Sequence, residues 1–231
     1  MEYLIGIDLG TSGTKTVLFD RLGKVIASAT VEYPLYQEKN GWAEQDPLDW
    51  WHASCETLQS VIGQSGVDPR DIKGLGISGQ MHGLVMLDKQ GQVLRRSILW
   101  CDQRTAKQCE EITQRVGKER LIQITANPAL TGFTASKILW VRENEPELYA
   151  QCAHILLPKD FVRYKLTGEF ATEVSDASGM QLLDVPHRCW SQEVLEKLDI
   201  APALLAKVYE SPEITGTITS EAAALTGLAA G

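Results

Sequence analysis

The sequence has few cysteines, and their spacing is not that of a disulfide framework or a metal site. Its 231 residues include five, with no Cys-x-x-Cys pair among them: Cys55, Cys101, Cys109, Cys152 and Cys189. An odd number without paired spacing argues against a disulfide framework and against a zinc site. We therefore expect reduced thiols and a cytoplasmic protein.

Positive charge is also scarce, because 22 Lys and Arg stand against 30 Asp and Glu and leave a formal net charge of −8. No segment collects the Lys and Arg that a nucleic acid or an anionic membrane would require. The sequence also lacks long apolar runs and a basic, cleavable leader, so we expect neither a membrane span nor secretion. A small molecule is the expected partner.

What the sequence does contain is an alternation of strand and helix patterns. Three apolar, β-branched runs joined by tight turns predict an antiparallel meander over residues 3–9, 14–20 and 24–33. Asp46-Pro47 then predicts a capped helix, and strand and helix patterns alternate from Ile72 onward. The chain is predicted to be one α/β domain, with a mixed sheet that starts with three antiparallel strands and is flanked by helices.

The turn between the first two strands superficially suggests a P-loop. Gly10-Thr11-Ser12-Gly13-Thr14-Lys15 lacks the glycine directly before the lysine and the four-residue spacing of that motif. It also leads into a strand pattern, whereas a P-loop leads into a helix. A hairpin of this kind can still bind phosphates, because its glycines let backbone N–H groups approach the oxygens.

Side chains of the same hairpin add further candidate ligands. Thr11, Ser12 and Thr14 carry hydroxyls, and Lys15 adds a positive charge. Asp8 ends the first strand beside them, where a lone carboxylate can hold Mg²⁺ through its waters. The hairpin is therefore a candidate nucleotide site, and the alternative is that Asp8 only caps a polar turn.

A second glycine pattern, Gly74 to Gly79, matches the dinucleotide fingerprint G-x-G-x-x-G. The fingerprint requires a helix to begin at its glycines. Here the segment Gln80 to Gly83 is followed by the strand pattern 84–88 and a turn. We therefore expect close backbone packing within a strand, and we keep a nicotinamide or flavin enzyme as the alternative.

Three segments together resemble the FGGY carbohydrate kinases. They are the opening Ile5 to Lys15, the segment Gly132 to Asn144, which is similar to the first signature of that family, and Ser78 to Gly83, which looks like the sugar-contacting loop of its xylulokinase branch. The resemblance implies an actin-like ATPase (ribonuclease H-like) fold of two lobes. Residues 1–231 would be the N-terminal, sugar-binding lobe, and the ATP-binding C-terminal domain is not part of this sequence.

The resemblance implies transfer of a phosphoryl group from ATP, with Mg²⁺, to a ketose. D-xylulose is the first expectation; a kinase for another ketose or polyol and a non-catalytic sugar-binding module stay open. The catalytic base of the family is an aspartate in a Gly-Gly-Asp segment, expected just beyond Gly231, and Asp176 is interpreted as a turn carboxylate that caps residues 177–180. The lone lobe is expected to bind sugar weakly without turnover, and a homodimer is left open.

Four residues are expected at the sugar. By resemblance Met81 and His82 contact the ketose, and an imidazole and a thioether suit hydroxyls and a carbon face. Trp100 offers an apolar face and an N–H, with core packing as its alternative. Asp102 follows it closely and could reach the sugar, or it could N-cap a helix that starts near Arg104. Lys137, within the signature, is expected to be structural.

Overall fold

The computed structural model describes residues 2–231, and a mixed sheet lies at its centre. Four strands form this sheet in the described range: β1 (Tyr3–Leu9), β2 (Gly13–Asp20), β3 (Val25–Glu32) and β5 (Ile72–Gly79), while β4 (Glu44–Gln45) lies outside it. Their order is β3-β2-β1-β5. The pairs β1–β2 and β2–β3 are antiparallel, and β5 runs parallel to β1. The predicted meander and mixed sheet are confirmed.

Helices and short strand pairs surround this sheet. The helices are α1 (Pro47–Ser65), α2 (Ala106–Val116), α3 (Lys118–Thr125), α4 (Thr134–Asn144), α5 (Pro146–Gln151), α6 (Pro158–Thr167), α7 (Val174–Ala177), α8 (Gln192–Leu198) and α9 (Ser220–Thr226). The other strands are β6 (Val85–Leu87), β7 (Ser97–Ile98), β8 (His154–Leu156), β9 (Ala171–Glu173), β10 (Leu183–Asp184), β11 (Cys189–Trp190) and β12 (Lys207–Tyr209). They pair as β4–β7, β6–β8, β9–β12 and β10–β11.

The first helix forms where its capping residues predicted it. The side chain of Asp46 accepts a hydrogen bond from the backbone N–H of Leu48, Pro47 occupies the first turn, and Gly66 ends α1 in the left-handed conformation with φ of 63°. The apolar face of α1 packs against β2 and β3. Trp50 and Trp51 are buried there as part of the core.

Two hydrophobic cores meet at the pair of β6 and β8. Val85 and Leu87 belong to the core between the sheet, α1 and α6, whereas Leu84 and Met86 belong to the core of α2, α3, α4 and α8. Successive side chains of a strand point to opposite faces, so β6 is buried on both sides. This strand pair therefore connects the sheet to the helical half of the chain.

Two alternatives from the sequence are resolved by these element bounds. The fingerprint glycines Gly74 to Gly79 lie within β5, so no helix of the described chain begins at them. The dinucleotide-binding alternative is therefore not supported, because that fingerprint requires a helix to begin at its glycines. The helix expected near Arg104 begins at Ala106 with Thr105 as its N-cap residue, so Asp102 is not that N-cap. Within residues 2–231, every helix is too short or too polar to cross a membrane.

The sheet core gives a direct test of the packing. Leu18 on β2 is completely buried, whereas Leu22 in the following turn is 93% exposed. We expect Leu18→Ala to lower the free energy of unfolding by about 2–5 kcal/mol, because it leaves a cavity between the sheet and α1. The matched substitution Leu22→Ala should change it by less than about 0.5 kcal/mol. Urea denaturation measures both, and equal effects would contradict this packing.

Candidate functional site

The hairpin between β1 and β2 forms an exposed polar corner of the sheet. The backbone N–H of Gly10 donates to the carbonyl oxygen of Gly13 over 3.0 Å and closes the turn. Asp8 pairs in register with Lys15 on β2 and with Ser78 on β5. All three are exposed, and in β1 and β2 the exposed residues alternate with buried side chains. A carboxylate, an ammonium group and a hydroxyl thus share one edge of the sheet.

Buried glutamines hold this hairpin against the rest of the chain. The Gln45 amide donates to the carbonyl oxygen of Thr11 over 2.7 Å, and the Gln80 amide donates to Gln45 Oε1 over 2.9 Å. Trp50 Nε1 donates to the same Gln45 oxygen over 3.0 Å. The Tyr33 hydroxyl donates to the carbonyl oxygen of Gly10. Gln45 and Gln80 lie 35 residues apart in the sequence, and nothing in their spacing indicated this bridge.

The three hydroxyl residues of the hairpin do not have equal access to a ligand. Ser12 is exposed and Thr11 is partly exposed, as a phosphate-binding turn requires. Thr14 is completely buried. The expectation that Thr14 also offers its hydroxyl to phosphates is therefore wrong, because its side chain points into the core as strand alternation demands.

Trp100 connects the hairpin to the expected sugar residues. Its indole Nε1 donates to Thr11 Oγ1 over 3.1 Å, while 41% of the residue remains exposed. The alternative of core packing is thereby excluded for Trp100. A threonine hydroxyl that accepts this bond keeps its own proton for a further acceptor. The residue therefore stays partly open to solvent beside the hairpin.

Asp102 is engaged inside the protein and is completely buried. Its Oδ2 accepts from the backbone N–H of Ala43 over 2.7 Å, and its carboxylate pairs with the Arg104 guanidinium, which also reaches Glu44 over 2.7 Å. The Arg104 guanidinium lies 3.6 Å from the ring centre of Trp42, so aromatic stacking adds to the ion pairs. The expectation that Asp102 reaches the sugar is therefore not supported, because Asp102 anchors the loop that follows Trp100.

The loop from Gln80 to Gly83 continues directly from β5 beside the hairpin. Gln80 N–H donates to the carbonyl oxygen of Leu9 over 2.6 Å, which extends the β1–β5 pairing by one residue. Met81 is 47% exposed, and His82 is half-buried against the ring of Phe133, with ring centres 4.8 Å apart. The loop therefore presents a thioether and an imidazole next to the hairpin.

The buried surroundings keep the imidazole of His82 neutral. Burial, with a smaller contribution from the positive charge of Lys137, lowers the pKa of His82 to about 4. A neutral imidazole carries one donor and one acceptor nitrogen, which suits the hydroxyls of a polyol. The sequence marked His82 as a candidate, but its charge state depends on neighbours that are distant along the chain.

Asp176 does not have the role of a turn carboxylate capping residues 177–180 that the sequence suggested. Glu173, whose carboxylate accepts from the backbone N–H groups of Ser175 and Asp176, is the residue that caps α7. The carboxylate of Asp176 lies 3.6 Å from Lys159 Nζ. Burial raises the pKa of Asp176 from 3.8 to about 7, against the opposing effect of Lys159. The interpretation as a capping carboxylate is therefore wrong.

Known proteins provide an independent comparison. The family model described as the FGGY family of carbohydrate kinases, N-terminal domain, matches residues 3–231. The chain is 46% identical over 228 residues to a xylulose kinase of Bacillus subtilis (strain 168), and the match covers 99% of this chain and 46% of that protein. The chain thus spans about half the length of the curated relatives it matches.

Solved structures agree with this match. The structure of a xyloylose kinase from Brucella ovis superposes with a TM-score of 0.92 at 36% identity, over 99% of this chain and 47% of that chain. The structure of a xylulose kinase from Rhodospirillum rubrum superposes with a TM-score of 0.94 at 27% identity, over 99% of this chain and 47% of that chain. The expected actin-like α/β fold is confirmed.

The buried Asp176 predicts a pH dependence of stability. Its pKa is raised on folding, so between pH 3.8 and about 7 the folded chain binds more protons than the unfolded chain. The contribution of Asp176 to the free energy of unfolding is therefore fully present at low pH, and it is lost as the pH rises through that window. We expect Asp176→Asn to remove the loss and to gain up to about 4 kcal/mol over wild type at pH 8, with little difference at pH 4.

Urea denaturation between pH 4 and pH 8 measures this effect. The exposed Glu169 serves as the matched control, and Glu169→Gln should follow the wild-type profile. A constant difference between Asp176→Asn and wild type across that range would contradict a raised pKa of Asp176.

Proposed function

Because this chain belongs to the FGGY family of carbohydrate kinases, we propose that it is the sugar-binding lobe of an ATP-dependent ketose kinase, with D-xylulose as the substrate. One observation carries the proposal: the phosphate-binding hairpin and the Met81–His82 loop adjoin, joined by the hydrogen bonds of Gln80 to Gln45 and to Leu9. An acceptor hydroxyl and a phosphate donor must lie side by side for in-line transfer. The xylulose kinases among its relatives support D-xylulose as the sugar.

In this proposal the sugar lies on the loop side of the site. Met81 covers a carbon face, the neutral imidazole of His82 exchanges hydrogen bonds with a hydroxyl, and the exposed face of Trp100 lies against C–H groups. The buried Oε1 of Gln80 has no hydrogen-bond partner among the described residues. A buried acceptor without a partner is costly, so a donating hydroxyl of the ligand would satisfy it.

The nucleotide phosphates lie on the hairpin side. Thr11 and Ser12 supply hydroxyls, and Lys15 supplies a positive charge. The described residues contain no cluster of three metal-ligating side chains. The exposed carboxylate of Asp8 therefore suits Mg²⁺ held through water and phosphate oxygens, and not a metal enclosed by the protein. Bound there, Mg²⁺ would neutralise charge on the transferring phosphate.

A base that accepts the hydroxyl proton completes such a reaction. Asp176 does not fit this role, because its side chain is almost completely buried beside Lys159 and is not open to a substrate hydroxyl. We place the base in the part of the relatives that this chain does not span. The chain by itself should bind the sugar and not phosphorylate it.

Sugar binding tests the proposal directly. Isothermal titration calorimetry of the 231-residue chain with D-xylulose should show binding, and His82→Ala should weaken it by about tenfold, the effect of losing a buried hydrogen bond and its contacts. The exposed His52 on α1 provides the control, since His52→Ala should bind like wild type. Glycerol and a second ketose, D-ribulose, should bind more weakly. Preference for either of these, or no effect of His82→Ala, would contradict the proposed substrate site.

Turnover provides a separate prediction. With D-xylulose and Mg²⁺-ATP, a coupled assay of ADP release should show no ketose-dependent rate for the 231-residue chain. The expected cause is the missing base, so raising the pH should not restore activity. Phosphorylation at a rate typical of intact kinases, about 1–100 s⁻¹, would overturn the assignment of the base to another part of the protein.

A further inference from the structure

His82 has a backbone conformation that few side chains adopt. Its φ is 64°, in the left-handed region that favours glycine. The turn closes when the N–H of Gly83 donates to the carbonyl oxygen of Met81 over 2.8 Å. Such a conformation persists only where the surroundings hold it in place.

The backbone of His82 is held from one side by the start of α4. The ammonium group of Lys137 donates to the carbonyl oxygen of His82 over 2.9 Å and to that of Gly132 over 2.5 Å. The hydroxyl of Thr134 donates to the same His82 oxygen over 3.1 Å. Lys137 is completely buried. Complete burial of a lysine is rare unless the end of its side chain has partners. Burial lowers the pKa of Lys137 to about 7, and its amino group donates to two backbone carbonyl oxygens.

The imidazole of His82 is held from the other side by Gly179. A Cβ at Gly179 would lie 2.1 Å from His82 Nε2 and 2.2 Å from His82 Cδ2, so the ring lies directly against the glycine backbone. The ring of Phe133 lies 4.8 Å away, centre to centre. The imidazole therefore packs against both Gly179 and Phe133, and a side chain at position 179 would overlap with the ring in this position.

We propose that Lys137 and Gly179 are positioning residues, which together set the orientation in which His82 meets the substrate. Lys137 acts through the carbonyl group of His82, and Gly179 acts through the face of its ring. The inference rests on the proposed function, because it takes His82 to be the residue that contacts the sugar. Hydrogen-bond geometry of this kind is what separates one sugar epimer from another.

The substitution Gly179→Ala tests the contact with the ring, and Gly63→Ala is its control. A Cβ at Gly63 would meet no atom within 4 Å. We expect Gly179→Ala to displace the imidazole towards solvent, to raise the pKa of His82 from about 4 towards its ordinary 6.5, and to weaken D-xylulose binding by about tenfold or more. Gly63→Ala should change neither. Histidine NMR titration and calorimetry measure the two effects.

A double variant separates positioning from general damage to the fold. If Gly179 acts through the ring, adding Gly179→Ala to His82→Ala should cost no further affinity, because the ring that the new methyl group displaces is already absent. An equal loss in both backgrounds would overturn the proposal, and so would an unchanged pKa of His82 in Gly179→Ala.

Lys137→Met tests the backbone contact, since it keeps the unbranched apolar part of the side chain and removes the amino group. We expect the pKa of His82 to rise, because a positive charge is lost and the loop is released. Wild-type affinity together with an unchanged pKa would overturn the role of Lys137. If this variant does not fold, the Gly179 series decides the proposal.

The outcomes also distinguish this inference from the proposed function. No effect of His82→Ala on D-xylulose binding would count against the sugar site, while the NMR titration of the ligand-free chain still reports whether Gly179 and Lys137 hold the ring. If His82→Ala loses D-xylulose binding and Gly179→Ala does not, the result would support the sugar site and would overturn the positioning role of Gly179.

Discussion

The parallel pairing of β1 with β5 is the constraint on which the rest of the site depends. The register sets Asp8 beside Ser78 and Leu9 beside Gly79, so both strands end at the same edge of the sheet. Carboxyl ends of parallel strands are the usual place for ligand sites in α/β proteins. The hairpin after β1 and the loop after β5 are neighbours for this reason, although about 70 residues separate them in the sequence.

Buried polar side chains then hold these two segments together. Gln45 accepts from both Gln80 and Trp50 while it donates to the hairpin, and Trp100 donates to Thr11. Buried polar groups are costly unless they are paired, so a network of this kind favours one arrangement of the loops. Its members come from the hairpin, β4, the first turns of α1, the loop after β5 and the loop after β7.

The sequence predicted the elements well where local chemistry decides them. The meander and the capped start of α1 both appear with nearly the expected bounds. It was less successful for polar residues whose surroundings come from distant segments. Asp102 is enclosed by Ala43 and Arg104, and Asp176 is buried against Lys159. Spacing along the chain carries no information about such partners.

The sequence by itself determined the family, the strand–turn–strand nature of the hairpin and the identity of His82 as a candidate, because these depend on residue types at short spacing. The tertiary structure decided which candidates are accessible and in what state. Burial withdraws Thr14 and Asp102 from ligands, and it lowers the pKa of His82 to about 4. The fold also brings Lys137 and Gly179 into contact with His82. These properties depend on desolvation and on contacts between distant segments, and both exist only once the chain has folded.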